Sequence, residues 1–247
     1  MNFIELFAKP SLIAAHRGDR SHQPENTLAA LQSSVGKCDF IEIDVQLSRD
    51  GIAVIVHDET LERTSSVQKQ FPNRKPWRVA DFTLAELKTL DFGSWFNGDF
   101  EPILTLDSAL AFAVQEREYL NVEIKDMSQL YNDEDTVQKI FDSIRKYHAE
   151  SSVLLSSFHH HYLQLSKKIA PQIPTAALQE TKREGLVDYL GLLNVDACHL
   201  DDAITERETV KRLRNAGFVV NVYTVNDPLR QKELFAWGVN GVFTDSI

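Results

Sequence analysis

The 247 residues are 43% hydrophobic and 25% charged, which fits one soluble domain, residues 1–247, large enough for a substantial core. A formal net charge of −10 disfavours nucleic acid and anionic membrane surfaces as partners, since both attract basic patches. No apolar run approaches bilayer-spanning length, and the opening Met1-Asn2-Phe3-Ile4-Glu5-Leu6-Phe7 lacks the basic stretch and small-residue cleavage site of a signal peptide, so a cytoplasmic location is expected. Nothing in the composition sets the oligomeric state.

The first strand-like run, Leu12-Ile13-Ala14-Ala15, delivers His16, and a later one, Ile52-Ala53-Val54-Ile55-Val56, delivers His57. A single histidine after an apolar run is more often a core or turn residue than a catalyst. Both of these, however, stand where a buried strand emerges, and imidazoles titrating near pH ~6.5 suit proton transfer in both directions. Between them, Phe40-Ile41-Glu42-Ile43-Asp44-Val45 alternates with a strand period, so Glu42 and Asp44 point the same way. An isolated Glu-x-Asp is usually a pair of solvated acids. Adjacent carboxylates repel unless a cation lies between them, and hard divalent ions such as Mg²⁺ or Ca²⁺ prefer all-oxygen ligands. The turn Arg49-Asp50-Gly51 predicts a hairpin that returns His57 to the Glu42–Asp44 strand.

Residues 60–107 are too long for an ordinary connection and contain Trp77, Trp95 and several phenylalanines, predicting an insertion with a small satellite core. Within it, Trp95 and Phe96 are candidates for gripping the substrate or an alkyl chain. Downstream, Asn121-Val122-Glu123-Ile124-Lys125 puts Glu123 and Lys125 on one strand face. Glu42, Asp44 and Glu123 then form a compact metal site of open coordination, with Arg17 and Lys125 supplying fixed positive charge for the non-bridging oxygens of a phosphate. Cys38 and Cys198 lack any Cys-x-x-Cys pairing, which argues against a thiolate zinc site and agrees with a reducing compartment. The tract His159-His160-His161 falls where a helix should begin, so it is read as an exposed helix start rather than a metal tract. His199 and Asp201 are further candidates for lining a site mouth.

Strand candidates begin near Leu12, Phe40, Asn121, Ser152, Thr175, Ala197, Phe218 and Gly241, with helical patterns over 26–35, 134–147, 162–169, 184–193, 206–215 and 229–237. Such βα repetition predicts a (β/α)8 TIM barrel. The rival is an open doubly wound sheet, but no Gly-rich dinucleotide turn follows the first strand. All of His16, Arg17, Glu42, Asp44, Glu123 and Lys125 lie toward the C-terminal ends of their strands, where barrel enzymes place their sites. A final outer helix is expected to be missing or replaced, with residues 2–8 covering the barrel bottom.

Five blocks, in order, resemble the glycerophosphodiester phosphodiesterase family: His16-Arg17-Gly18, Pro24-Glu25-Asn26-Thr27, Glu42-Ile43-Asp44-Val45, Asp50-Gly51 leading to His57-Asp58, and Glu123-Ile124-Lys125. Ser156-Ser157-Phe158, Tyr223-Thr224-Val225-Asn226 and Gly241-Val242-Phe243-Thr244-Asp245 extend the resemblance nearly to the end of the chain. It implies a bacterial-type cytoplasmic enzyme of lipid and glycerol metabolism. In that reading His16 and His57 are the general acid/base pair, and Glu42, Asp44 and Glu123 ligate one divalent cation, Mg²⁺ or Ca²⁺. Arg17 and Lys125 become phosphate contacts, with Glu25 and Asn26 close by on the substrate side. Asn26 is also a plausible helix N-cap. Phe158 and Tyr223 flank the substrate, the latter where many family members have Trp. The implied reaction hydrolyses small glycerophosphodiesters such as glycerophosphocholine or glycerophosphoethanolamine to sn-glycerol 3-phosphate and an alcohol. Two alternatives are a lysophospholipase D on the same scaffold and a silent barrel that only binds phosphorylated ligands, the latter opposed by the intact set of His, Glu, Asp and Lys.

Overall fold

The computed structural model describes residues 3–247. Its strands are β1 (Leu12–Ala15), β2 (Phe40–Leu47), β3 (Ala53–Ile55), β4 (Leu120–Ile124), β5 (Val153–Ser157), β6 (Thr175–Gln179), β7 (Ala197–Asp201), β8 (Val219–Tyr223) and β9 (Gly241–Thr244). All except β3 pair in parallel in the order β1-β9-β8-β7-β6-β5-β4-β2, and β1 pairs back onto β2, closing the expected (β/α)8 barrel. β2 is buried on both faces yet alternates in sequence, because one face packs apolar side chains and the other carries Glu42, Asp44 and Gln46 toward the mouth. Its Ile41, Ile43, Val45 and Leu47 pack outward under the helices, while Phe40 belongs to the barrel interior.

The outer helices are Leu28–Ser34, Leu106–Glu116, Asp133–Lys146, His160–Ile169, Leu186–Leu193, Arg207–Asn215 and Pro228–Trp237. In Asp133–Lys146 the buried Val137, Ile140, Phe141 and Ile144 recur at the three- and four-residue spacing that puts them on one face. The side-chain oxygen of Asn132 accepts from the backbone N–H groups of Glu134 and Asp135 to start this helix. Two boundaries depart from the sequence expectation. The helix expected from residue 26 starts at Leu28 with Thr27 as its cap, because Asn26 adopts a left-handed φ of 59° and spends its side chain elsewhere. The insertion expected over 60–107 ends sooner, since Thr105 caps helix Leu106–Glu116, the outer helix that follows it.

At the N-terminal end of the barrel, Phe3, Leu6 and Phe7 pack on Leu12, Phe40, Leu154 and Ala197, with Phe3 and Phe40 ring centroids 5.4 Å apart. Burying such side chains contributes about 1.5–3 kcal/mol each. This is the expected bottom cover, although Asn2 of that segment lies outside the described residues. Residues 245–247 follow β9 without forming a helix.

β3 pairs antiparallel with β2, Val45 opposite Ile55 and Leu47 opposite Ala53, around a turn in which Gly51 has φ 74°. The Val56 N–H donates to the Asp44 carbonyl at 3.0 Å, so the chain re-enters the mouth and presents His57 beside the acidic strand. The insertion then builds its own apolar cluster, including Val54, Val56, Trp77, Phe82, Leu87 and Phe92. Trp77 is therefore satellite core, its indole N–H donating to the Phe71 carbonyl at 2.7 Å.

Candidate active site

Because strand side chains alternate, β2 and β4 project Glu42, Asp44 and Glu123 into the C-terminal mouth, with Asp44 directly opposite Glu123 in the register. One carboxylate oxygen from each of the three lies within 4.8 Å of the others. At that separation, like charges repel by about 3–4 kcal/mol at an effective dielectric of about 20. Burial, then Asp44 and Glu123, push the Glu42 carboxyl well above the usual range, and burial with Asp44 raises Glu123 to about 7. Asp44 goes the other way: although burial opposes its charge, Lys125, Arg17 and His57 hold it well below the usual range. The buried Glu42 Oε1 has no hydrogen-bond partner. An all-oxygen donor set with surplus negative charge and an orphaned carboxylate oxygen fits a hard divalent cation.

The cations are held as tightly as the acids. Lys125 Nζ donates to Glu123 Oε1 at 2.6 Å and lies 3.4 Å from Asp44 Oδ1. Arg17 donates its backbone N–H to Glu42 Oε2 at 2.9 Å and its guanidinium to Glu25 Oε1 at 2.9 Å, while Nε sits 3.3 Å from Asp44 Oδ2. This places Arg17 at a left-handed φ of 58° followed by Gly18 at 79°. At Gly18 a Cβ would stand 2.7 Å from the Ala30 Cβ and 2.8 Å from its backbone carbon, so the turn requires glycine.

Each histidine is oriented by a carboxylate. His16 Nδ1–H donates to Asp245 Oδ1 and His57 Nδ1–H donates to Asp58 Oδ1, both at 2.7 Å, which leaves Nε2 as the second nitrogen of each ring. Burial lowers both imidazoles below their ordinary value, against the carboxylates that favour their charge. Burial would raise Asp245, yet His16 and Asn226 hold it at about 2, and Arg63 and His57 do the same for Asp58.

His16, Arg17, Glu42, His57, Glu123, Lys125, Phe158 and Tyr223 all line one cavity of about 330 Å³. Phe158 and Tyr223 form part of its wall, edge to face at 6.1 Å, and the Tyr223 hydroxyl is committed to the Gln179 carbonyl at 3.0 Å. A wider groove of about 610 Å³ adjoins it and shares His57, Glu123, Lys125 and Phe158. Glu25 and Asn26 are buried behind the cavity and do not line it. Asn26 instead donates to Asp44 Oδ2 at 2.8 Å, and Glu25 collects Arg17, Arg20 and Arg63. Trp95 and Phe96 pair with each other on the surface and line neither space. His199 lies on the cavity floor, fully buried, accepting from Asn221 Nδ2 at 3.1 Å, whereas Asp201 caps the short turn after β7 by accepting from the Ala203 N–H.

Sequence reasoning passed over Asp245, Asp58 as the partner of His57, Arg63 and Gln46. Arg63 donates to both Glu25 oxygens at 2.9 and 2.7 Å and to Asp58 Oδ2 at 2.6 Å, tying the two histidine blocks together. Gln46 Nε2 donates to the carbonyls of Val56, His57 and Asp58 and so holds the His57 segment against β2. Asp58 carried a local signal in its place directly after His57, and Asp245 one in ending the family-like segment 241–245, though neither marked the histidine it would hold.

The family model for the glycerophosphoryl diester phosphodiesterase family matches residues 16–247. A glycerophosphodiester phosphodiesterase of Caldanaerobacter subterraneus subsp. tengcongensis is 34% identical over 241 residues, spanning 95% of this chain and 94% of the relative. Another from Bacillus subtilis is 30% identical over 256 residues, spanning 95% of this chain and 83% of the relative. Among solved structures, an Oleispira antarctica phosphodiesterase in complex with the product sn-glycerol-3-phosphate matches with a TM-score of 0.87 at 30% identity, covering 97% of this chain and 95% of that one. With a family model across most of its length and relatives of this identity over nearly all of it, the chain belongs to the glycerophosphoryl diester phosphodiesterase family.

Proposed function

We propose that the protein is one catalytic domain that hydrolyses small glycerophosphodiesters, such as glycerophosphocholine and glycerophosphoethanolamine, to sn-glycerol 3-phosphate and an alcohol. The observation that carries this reading is the pair of imidazoles, each tied at Nδ1 to its own carboxylate at 2.7 Å, lining one cavity with Glu42, Glu123, Arg17 and Lys125. The product named for the Oleispira antarctica structure agrees with it.

Glu42, Asp44 and Glu123 hold one divalent cation, Mg²⁺ or Ca²⁺, which when bound supplies Lewis-acid polarisation of the phosphoryl oxygens. Arg17 and Lys125 receive the non-bridging oxygens and are already aimed, because Glu25 and Glu123 fix their positions before substrate arrives. With each Nδ1–H engaged, His16 and His57 work through Nε2. The neutral imidazole takes a proton from the attacking oxygen, that of water or of the neighbouring glycerol hydroxyl, as it bonds to phosphorus, and the protonated one delivers a proton to the leaving alkoxide as its P–O bond breaks. After direct attack by water, proton exchange with solvent resets the pair; after attack by the hydroxyl, water opens the cyclic phosphate with the two roles exchanged. Asp245 and Asp58 stabilise whichever ring is charged. Phe158 and the Tyr223 ring flank the glycerol, and Glu25 and Asn26 act through Arg17 and Asp44 rather than on the substrate. The head group extends into the adjoining groove. Two free cysteines, Cys38 and Cys198, support a cytoplasmic setting.

A second reading, a lysophospholipase D, is favoured by Met127, Leu130 and Phe158 lining that groove, which suit an alkyl chain. Following glycerol 3-phosphate release from glycerophosphocholine with Mg²⁺ or Ca²⁺, and again after chelation, tests the main reading. Turnover that survives thorough chelation overturns the cation's role, and faster cleavage of lysophosphatidylcholine than of glycerophosphocholine establishes the second reading instead.

A further inference from the structure

Outside the mouth, the described residues contain a second convergence of metal-ligating atoms. The tract His159-His160-His161 does begin a helix, His160–Ile169, with His159 at its N-cap. Two residues apart on a continuous helix, His159 and His161 would face different directions. The non-helical backbone of His159, φ −84° and ψ 87°, turns its ring to the same side as that of His161. Both then reach the neighbouring helix: His159 Nε2 lies 2.7 Å and His161 Nδ1 2.9 Å from Asp133 Oδ2. The three ligand atoms lie within 4.8 Å of one another. His160 is committed elsewhere, to the Tyr189 hydroxyl at 2.7 Å and the Leu178 carbonyl at 2.9 Å.

We propose that Asp133, His159 and His161 bind a transition-metal ion of the Zn²⁺ class on the barrel rim, at a site separate from the Glu42, Asp44 and Glu123 cluster. Two imidazole nitrogens and one carboxylate oxygen are the donor set such ions take with an open position for water, whereas Mg²⁺ and Ca²⁺ prefer oxygen alone. The opposite nitrogen of His159, Nδ1, faces Asp126 Oδ1 at 3.9 Å, the kind of outer carboxylate that fixes the tautomer of a ligating histidine. Glu134 and Asp135 beside Asp133 supply further negative charge in the first turn of helix Asp133–Lys146, offsetting the positive end of its dipole. The ion would join the segment after β4 to the β5 loop. That loop also carries Phe158 into the mouth.

Residue-specific imidazole ¹⁵N spectra of the full chain, recorded while Zn²⁺ alone is added, test this. His159 Nε2 and His161 Nδ1 should move to metal-bound positions together and saturate at one ion per chain, and Mg²⁺ should leave both unmoved. His161→Ala removes a half-exposed ligand and Asp133→Asn removes the shared charge; each should raise the Zn²⁺ needed to shift His159 by at least about tenfold. Zn²⁺ should also raise the melting temperature of the unmodified chain more than that of either variant. Rings that keep their zinc-free positions, or a His161→Ala chain that binds and is stabilised like the original, overturn the proposal.

Discussion

Asp245 accepts a 2.7 Å hydrogen bond from His16 across 229 residues of sequence, so the imidazole at the end of the first strand is set by a carboxylate that follows the last. Asp245→Asn preserves the shape but removes the charge and allows the wrong ring tautomer. We expect kcat to fall by about 10²-fold with little change in KM. Loss of the carboxylate also lowers the His16 pKa further, so whichever limb of the kcat/KM profile His16 governs, acid if it is the base and basic if it is the acid, should move to lower pH. An unchanged profile would separate Asp245 from His16 function.

His57→Ala and His16→Ala should each lower kcat by at least ~10²-fold if each ring moves one proton. The double variant should lose less than the product of the two single effects, because the rings act on one transition state. Strictly multiplicative losses in a double-mutant cycle would contradict a shared step.

Glu123→Gln keeps the size of the side chain but removes one of three converging charges. The expected defect is weaker cation binding, with the cation concentration for half-maximal rate raised by at least about tenfold and partial rescue at saturating cation. A defect of the same size at every cation concentration argues that Glu123 serves the reaction in another way.

Gly18→Ala adds a methyl group against the Ala30 backbone and strains a φ of 79°. Overpacking of this kind and an unfavourable left-handed residue together should cost about 2–4 kcal/mol of stability, read by urea denaturation. Activity should fall as well, since the same turn aims Arg17 and His16. A variant as stable as the parent would show that the turn relaxes.

Burial lowers the His199 imidazole to about 3 on the barrel floor, against an unfolded value near ~6.5. A depressed histidine contributes stability that is complete above the unfolded value. It is lost as pH falls, because only the unfolded chain takes up the proton. Between pH 7 and pH 5 this group should remove about 2 kcal/mol. His199→Leu should flatten the stability profile over that window by a similar amount, measured by urea midpoints at both pH values; an equally steep profile would assign the acid sensitivity to other groups.

The strands were legible because each is a short apolar run whose alternation or continuity follows directly from two-faced burial. Glu42 and Asp44 were legible as a pair because strand geometry alone makes alternate residues neighbours. Asn26 was misread as a cap because local pattern cannot show that a left-handed residue turns its amide toward Asp44 instead. The end of the insertion was placed late for a similar reason: the Thr105 cap is a single residue inside a stretch otherwise dominated by aromatics.

By itself, then, the sequence determined the βα alternation, the family blocks and the residue types at the mouth, all properties of neighbours within a few positions. Tertiary closure decided which distant side chains complete them. Asp245 reaches His16 only because β9 pairs with β1, and Arg63 links Glu25 to Asp58 only because the β2–β3 hairpin folds back over the first block. His159 and His161 meet Asp133 only because two outer helices begin side by side. Hydrogen bonds and ion pairs act over a few ångströms in space whatever the separation along the chain. Pairings between remote segments therefore leave no periodic trace in the sequence.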